Sequence, residues 1–263
     1  MKNRILFFAA AVLFAGALSS HASLQDPSSQ TPEKPIYYAY GNEPTVLGTV
    51  SVKGKLPPRK KIDVWADPVC AKLDPNPQTD WPLLKGQNVQ NAFVYIKEGE
   101  PLNMYRFAVP DTEVTLEHKK CQYSPHVLGL RVGQSLAIAN SDPTQHNTHP
   151  TPKSNEEWNY SQAAKAPPLI KTFTRPEVMI PFKCNQHPWE RAYIGVLSHP
   201  FFAVTDSAGN YEIRGLPPGT YKLAVWYELL GEREIEITVA AGESRRVDFT
   251  LDADKLIASP SLY

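Results

Sequence analysis

Helical periodicity is scarce in this chain of 263 residues, and the signatures of several common enzyme classes are missing. There is no Gly-x-Ser-x-Gly turn for a nucleophilic serine, no His-Glu-x-x-His zinc helix and no glycine loop to cradle a phosphate. Nor is there an excess of one charge. Lys and Arg number 27 against 27 Asp and Glu, with no basic stripe to attract nucleic acid and no acidic block of the kind that makes a disordered tail. No methionine follows Pro181, and the cysteines are only Cys70, Cys121 and Cys184. The apolar run Ile5 to Leu18 is too short for a comfortable membrane span.

That run fits an export signal instead. Lys2 and Arg4 form its basic start, and Ser20-His-Ala22 is a small-residue cleavage site. Residues 1–22 are therefore read as a signal peptide cut after Ala22, which leaves a periplasmic or secreted mature chain with no membrane span. No cysteine lies near the cut to take a lipid anchor.

What is abundant is proline, 25 residues, set between short aromatic and β-branched runs. This is the pattern of an all-β protein. Residues 23–44 are rich in Ser, Pro, Gln and Glu and read as a disordered linker. Strands are expected at Val46–Val52, Lys60–Trp65, Asn91–Ile96, Phe107–Val109 and Glu113–Glu117, with a long loop from Cys70 to Lys85. Val127–Ala139 should hold two strands joined near Gly133, and residues 150–172 an irregular flap. Glu177–Cys184 and Ala192–Leu197 flank a loop. From Phe202 to Leu251, strands alternate with tight turns such as Asp206-Ser-Ala-Gly209 and Leu216-Pro-Pro-Gly219.

Chemistry concentrates in Pro181-Phe-Lys-Cys184-Asn-Gln-His187-Pro-Trp-Glu190. A thiolate is a soft ligand and an imidazole a borderline one, so Cys184 and His187 can serve one ion. Two ligands do not fill a coordination shell, and Asn140-Ser-Asp-Pro-Thr-Gln-His146-Asn147-Thr-His149 supplies a third. Two His and one Cys from two strand ends are the ligand set of an electron-transfer copper site.

The run Pro125-His to Asn140-Ser-Asp, then His146-Asn147, then Cys184-x-x-His187, resembles the cupredoxin pattern. More closely, residues 45–252 resemble cupredoxin-like, methylamine-utilisation-like periplasmic proteins that carry an extra small β-domain. The resemblance implies a cupredoxin-like Greek-key β-sandwich over 45–200, with N-terminal strands. A small transthyretin- or carboxypeptidase-regulatory-like β-sandwich would follow over 201–252, then a tail over 253–263. Val46–Ile62 resembles the first strands of the second type, so the two ends of the chain are expected to pack together.

The resemblance also implies one copper held by His146, Cys184 and His187, with Asn147 tying the two ligand loops and Trp189 covering the site. Where relatives often read His-Pro-Trp-Met, this chain has Glu190, a candidate axial ligand. A carboxylate there is harder than a thioether; it favours the oxidised ion, or zinc in place of copper. A red-copper site of two His, a Cys and a Glu is the nearest analogy. The function expected is electron exchange with a periplasmic redox protein or enzyme. The alternatives are a binding or scaffold module with a zinc or vestigial site, and a small-molecule copper enzyme with an open coordination position. With Cys184 a ligand, Cys70 and Cys121 remain to pair as a disulfide; otherwise Cys184 bonds one of them and no metal binds. His149 is an alternative ligand, and His126 a buried, hydrogen-bonded residue. His118 and His199 have no partner motif and read as ordinary surface or edge residues. Glu156-Glu157 read as solvated, and Trp65, Trp81, Trp158 and Trp226 as core or rim aromatics.

Overall fold

Residues 33–256 are those the computed structural model describes, and four sheets carry most of them. The expected signal peptide lies outside the described residues, as do residues 23–32 of the linker and 257–263 of the tail. Among the described residues the helices are short, chiefly Pro68–Leu73 and Glu100–Met104, so the fold is all-β. None is long and apolar enough to cross a membrane.

Alternation dictates the strands. Thr45–Lys53 buries every second residue, Val46, Gly48, Val50 and Val52, because successive side chains point to opposite faces. It pairs with Asn210–Ile213, Ser244–Arg246 and Phe249–Asp252, so the N-terminal strand completes a sheet made by the C-terminal part of the chain. Phe93–Gly99 does likewise, lying between Phe202–Val204 and Gly219–Tyr227, with Gly231–Val239 outermost. These two sheets share one core, around Val50, Val94, Ile96, Leu223 and Val225.

The other pair of sheets carries the chemistry. One runs Tyr160–Gln162, His146–Pro150, Glu177–Lys183, Arg191–Leu197, Val127–Arg131; the other runs Leu169–Lys171, Leu136–Asn140, Val114–Lys119, Gln122–Ser124. Their core joins Leu116, Leu136 and Ile138 to Ile180, Phe182 and Ile194. The two sandwiches touch through Phe93, Tyr95, Val127, Met179 and Tyr193. Gly129 and Gly195 stand opposite each other on adjacent strands there. A Cβ on Gly195 would fall 2.4 Å from the Phe93 ring, and one on Gly129 2.3 Å from Phe202, so only glycine lets these rings lie on the sheet.

Several expectations fail for visible reasons. Lys60–Trp65 is not a strand; Lys61 makes one isolated bridge to Gln78, and Trp65 is 80% exposed rather than core or rim. Part of the Cys70–Lys85 loop is instead the Pro68–Leu73 helix. Asp67 caps it by accepting from the Val69 and Cys70 N–H groups, with proline in its first turn. Phe107–Val109 forms no strand because the carbonyls of Phe107 and Ala108 accept from the buried Arg131 guanidinium. The flap is partly ordered, its two short strands pairing with His146–Pro150 and Leu136–Asn140. The described end of the linker is anchored too, by an Ile36–Arg106 bridge and the Tyr37 ring against Phe107 and Phe201.

His199 is neither surface nor edge. It is 5% exposed, with its ring 5.5 Å from Phe201 and its Nδ1 accepting from the Phe201 N–H. Burial, helped by the Arg131 charge, pushes its pKa down to about 4. Between pH 6.5 and 4 the unfolded chain thus binds more protons at this residue than the folded one, and stability falls as pH falls. The loss should reach roughly 2 kcal/mol by pH 4.5. Urea midpoints at pH 7 and 4.5 should lie closer together in His199→Asn, which keeps an acceptor but does not titrate. An unchanged gap would refute the assignment.

Candidate metal centre

The strand His146–Pro150 sends His146 and Thr148 inward, both 0% exposed, and His149 outward. Asn140, at the end of the neighbouring strand, shapes the turn before it: its amide donates to the Thr144 and Ala163 carbonyls, and its Oδ1 accepts from Asp142 N–H. The second ligand segment begins where Glu177–Lys183 ends. Cys184 N–H donates to the Glu190 carbonyl, and Glu190 N–H to that of His187, closing a loop that turns Cys184, His187 and Glu190 the same way.

His146, Cys184, His187 and Glu190 consequently meet, with one donor atom from each lying within 4.8 Å of all the others. The His187 Nδ1 is 3.0 Å from the His146 Nδ1 and 3.6 Å from the Cys184 Sγ. The Glu190 Oε2 is 2.9 Å from the His146 Nδ1 and 3.8 Å from the His187 Nδ1. A tetrahedron with bonds of about 2.0–2.3 Å has edges of about 3.3–3.8 Å. The four atoms thus span nearly the right polyhedron, drawn slightly inward along two edges. All four residues are at most 3% exposed.

The outward nitrogens are held by carboxylates. His146 Nε2 is 3.0 Å from Asp142 Oδ2, and His187 Nε2 is 3.1 Å from Asp67 Oδ2. Such partners fix ring orientation and raise ligand basicity. Asp142 does a second job. Lys120 and Cys121 both sit at φ 55° in a two-residue hairpin turn, and their N–H groups donate to its two oxygens at 2.7 Å each. Cys121 is disulfide-bonded to Cys70, leaving Cys184 as the free thiol among the described residues.

The electrostatics follow. Burial disfavours an imidazolium at His146, but Asp142, Cys184 and Glu190 outweigh it and raise the pKa to about 11; His187 is raised to about 10 by Cys184, Glu190 and Asp67 against the same burial. Burial pushes the Cys184 thiol up, and the two imidazoles bring it down to a net lowering. Glu190, equally desolvated, is held well below the usual carboxylate range by His118, His146 and His187. Without metal, the space between the donor atoms is bridged by shared protons. A divalent ion entering it displaces them, so binding must release protons.

Asn147 links the ligand segments. Its N–H donates to Cys184 Sγ at 3.4 Å, and its Oδ1 accepts from Asn185 N–H at 2.6 Å. Trp189 donates from Nε1 to the Cys121 carbonyl and lays its ring 5.2 Å from that of His187. His149 stands outside the cluster, between Asn185 Oδ1 at 3.1 Å and Glu157 Oε1 at 2.6 Å, so Glu157 is paired rather than simply solvated. His126 is buried and bonded to Glu228 and the Arg191 carbonyl.

His118 overturns its reading as a surface or edge residue. It is 0% exposed, 2.6 Å from Glu190 Oε1, and stacked on His146 at 4.5 Å. Sequence reasoning also missed Asp67 and Asp142. The signal for Asp142 was its place four residues before His146. Nothing local marks Asp67, 120 residues from His187.

Comparison with known proteins finds a carboxypeptidase regulatory-like domain matching residues 185–252. No curated protein sequence matches the chain. Among solved structures, it resembles a Cu-containing nitrite reductase from Thermus scotoductus SA-01, at 20% identity and TM-score 0.31, over 38% of this chain and 27% of that one. The chain thus spans about a quarter of that enzyme. A purple cupredoxin from Nitrosopumilus maritimus is matched at 19% identity and TM-score 0.28, over 32% of this chain and 98% of that one. A mutant of amicyanin in its Cu(I) form is matched at 21% identity and TM-score 0.29, over 39% of this chain and 97% of that one.

Proposed function

We propose that the chain is an exported mononuclear copper protein that passes single electrons to and from a periplasmic redox partner. The observation that carries this reading is the donor set: two imidazole Nδ1 atoms, a thiolate and one carboxylate oxygen converge within 4.8 Å in a fully buried cluster. Thiolate with imidazole suits copper, and copper bound there supplies a one-electron couple. The residues do the rest. Cys184 donates charge through sulfur, and Asn147 N–H at 3.4 Å moderates that donation. His146 and His187 are held from behind by Asp142 and Asp67, so ring rotation on a change of oxidation state is resisted. Trp189 shields the His187 side from water. The Cys70–Cys121 disulfide supports an oxidising compartment.

Burial of all four donor residues favours electron transfer over a small-molecule enzyme. Zinc is the second reading, favoured by the near-tetrahedral edges and the carboxylate. Copper-loaded protein should show an intense visible thiolate band and a copper paramagnetic signal, neither altered by azide. Expression with copper and zinc both present, followed by metal analysis, decides between the ions. A zinc-filled, colourless product would overturn the copper reading, and an azide-sensitive band would turn it toward an enzyme.

A further inference from the structure

We infer that His118 is a positioning residue that presents Glu190 to the metal through a single oxygen, and thereby sets how strongly the centre prefers Cu(II) over Cu(I). This rests on the copper reading above. His118 comes from Val114–Lys119, in the sheet opposite the one bearing the ligands, and it reaches across the sandwich interior. A carboxylate only accepts, so the contact of 2.6 Å to Glu190 Oε1 is a hydrogen bond donated by His118 Nδ1–H. The other nitrogen, Nε2, lies 2.9 Å from Thr148 Oγ1. The ring is stacked on His146 at 4.5 Å and 14°, and the Tyr123 ring stands 4.5 Å away. Both nitrogens and the ring plane are thus fixed.

The consequence falls on Glu190. Its Oε1 is committed to His118, and only Oε2 faces the two Nδ1 atoms, at 2.9 and 3.8 Å. A carboxylate with one oxygen tied by a charge-assisted bond is a weaker donor than a free one, and it cannot bring both oxygens to the ion. Losing that bond frees Oε1 to approach, adding hard oxygen donation that stabilises Cu(II) more than Cu(I). Thr148, on the same face as His146, keeps the His118 ring turned for this contact.

The test compares substitutions at two positions. His118→Phe keeps the stacking and deletes the bond. Its ratio of Cu(II) to Cu(I) affinity should rise about tenfold, the scale of effects from a ligand's hydrogen-bond partner. The copper paramagnetic parameters should change with it, and the cobalt(II)-substituted protein should move from four- to five-coordinate absorption. His118→Asn places an amide N–H near the position of Nδ1 and should restore the native ratio; His118→Gln, whose amide lies further out, should not. Thr148→Val should give an intermediate ratio, and it carries the test should His118→Phe fail to fold. In a Glu190→Gln background, His118→Phe should add no further shift. A wild-type protein with the thiolate band whose ratio is unmoved by His118→Phe, or by Thr148→Val, would overturn this inference alone. A wild-type protein without the band would overturn the copper reading and this inference with it.

Discussion

Cys184→Ser should erase the visible band of the copper-loaded protein and weaken copper binding by more than the roughly 10–100-fold typical of losing a ligand's hydrogen-bond partner. The fold should survive. Serine is close in size, the site is 2% exposed, and a hydroxyl at that point still meets Asn147 N–H and the His187 ring. What changes is the donor. The two imidazoles hold the thiol pKa down, so sulfur is ready to lose its proton to an incoming ion, whereas an alcohol is a hard, poorly ionised ligand. The remaining two imidazoles and Glu190 make a set that still takes zinc. Isothermal titration with copper and with zinc should therefore show a larger loss for copper. Equal losses for the two ions would remove the argument for copper from sulfur, and a surviving band would end the proposal.

The ligand cluster was legible because its residues sit at strand ends whose spacing is local: His146 after Leu136–Asn140, and Cys184 to Glu190 in one loop. Turn chemistry and alternation place such segments well. The supports were legible only in part. Leu116 and His118 share the buried face of one strand, so continuing the alternation one step past Glu117 would have put His118 inside. Its partner lies 72 residues away, and no periodicity encodes that. Asp67 lay hidden in a segment read as loop because a one-turn helix has too few residues to show a period. The partition of strands followed the same rule. Thr45–Lys53 and Phe93–Gly99 alternate clearly, but which sheet each joins is fixed by pairings with residues 203 or more, as in Val46 with Ile213 and Val94 with Ala203.

Removing the Cys70–Cys121 disulfide by substituting alanine at both positions should affect both the stability and the metal centre. The bridge spans 51 residues. Loop closure in the unfolded chain then contributes about 4 kcal/mol, and a domain of this size should melt roughly 8–16 °C lower without it. The effect on the site follows from what the bridge joins. Cys70 lies in the helix capped by Asp67, and Cys121 in the turn whose N–H groups Asp142 holds. Those two carboxylates bind the outward nitrogens of His187 and His146. The bridge therefore ties the two acids that orient the two imidazoles. Copper affinity should drop in the double variant by roughly the 10–100-fold seen when such partners are lost. Asp67→Asn and Asp142→Asn should reproduce the affinity loss, Asp67→Asn with little of the melting shift and Asp142→Asn with more, since Asp142 also serves the turn. Thermal melts with and without copper separate the two effects, because a weakened site narrows the stabilisation that bound metal gives. A double variant that melts lower yet keeps its full copper-induced shift would show that the bridge staples the chain without serving the ligands.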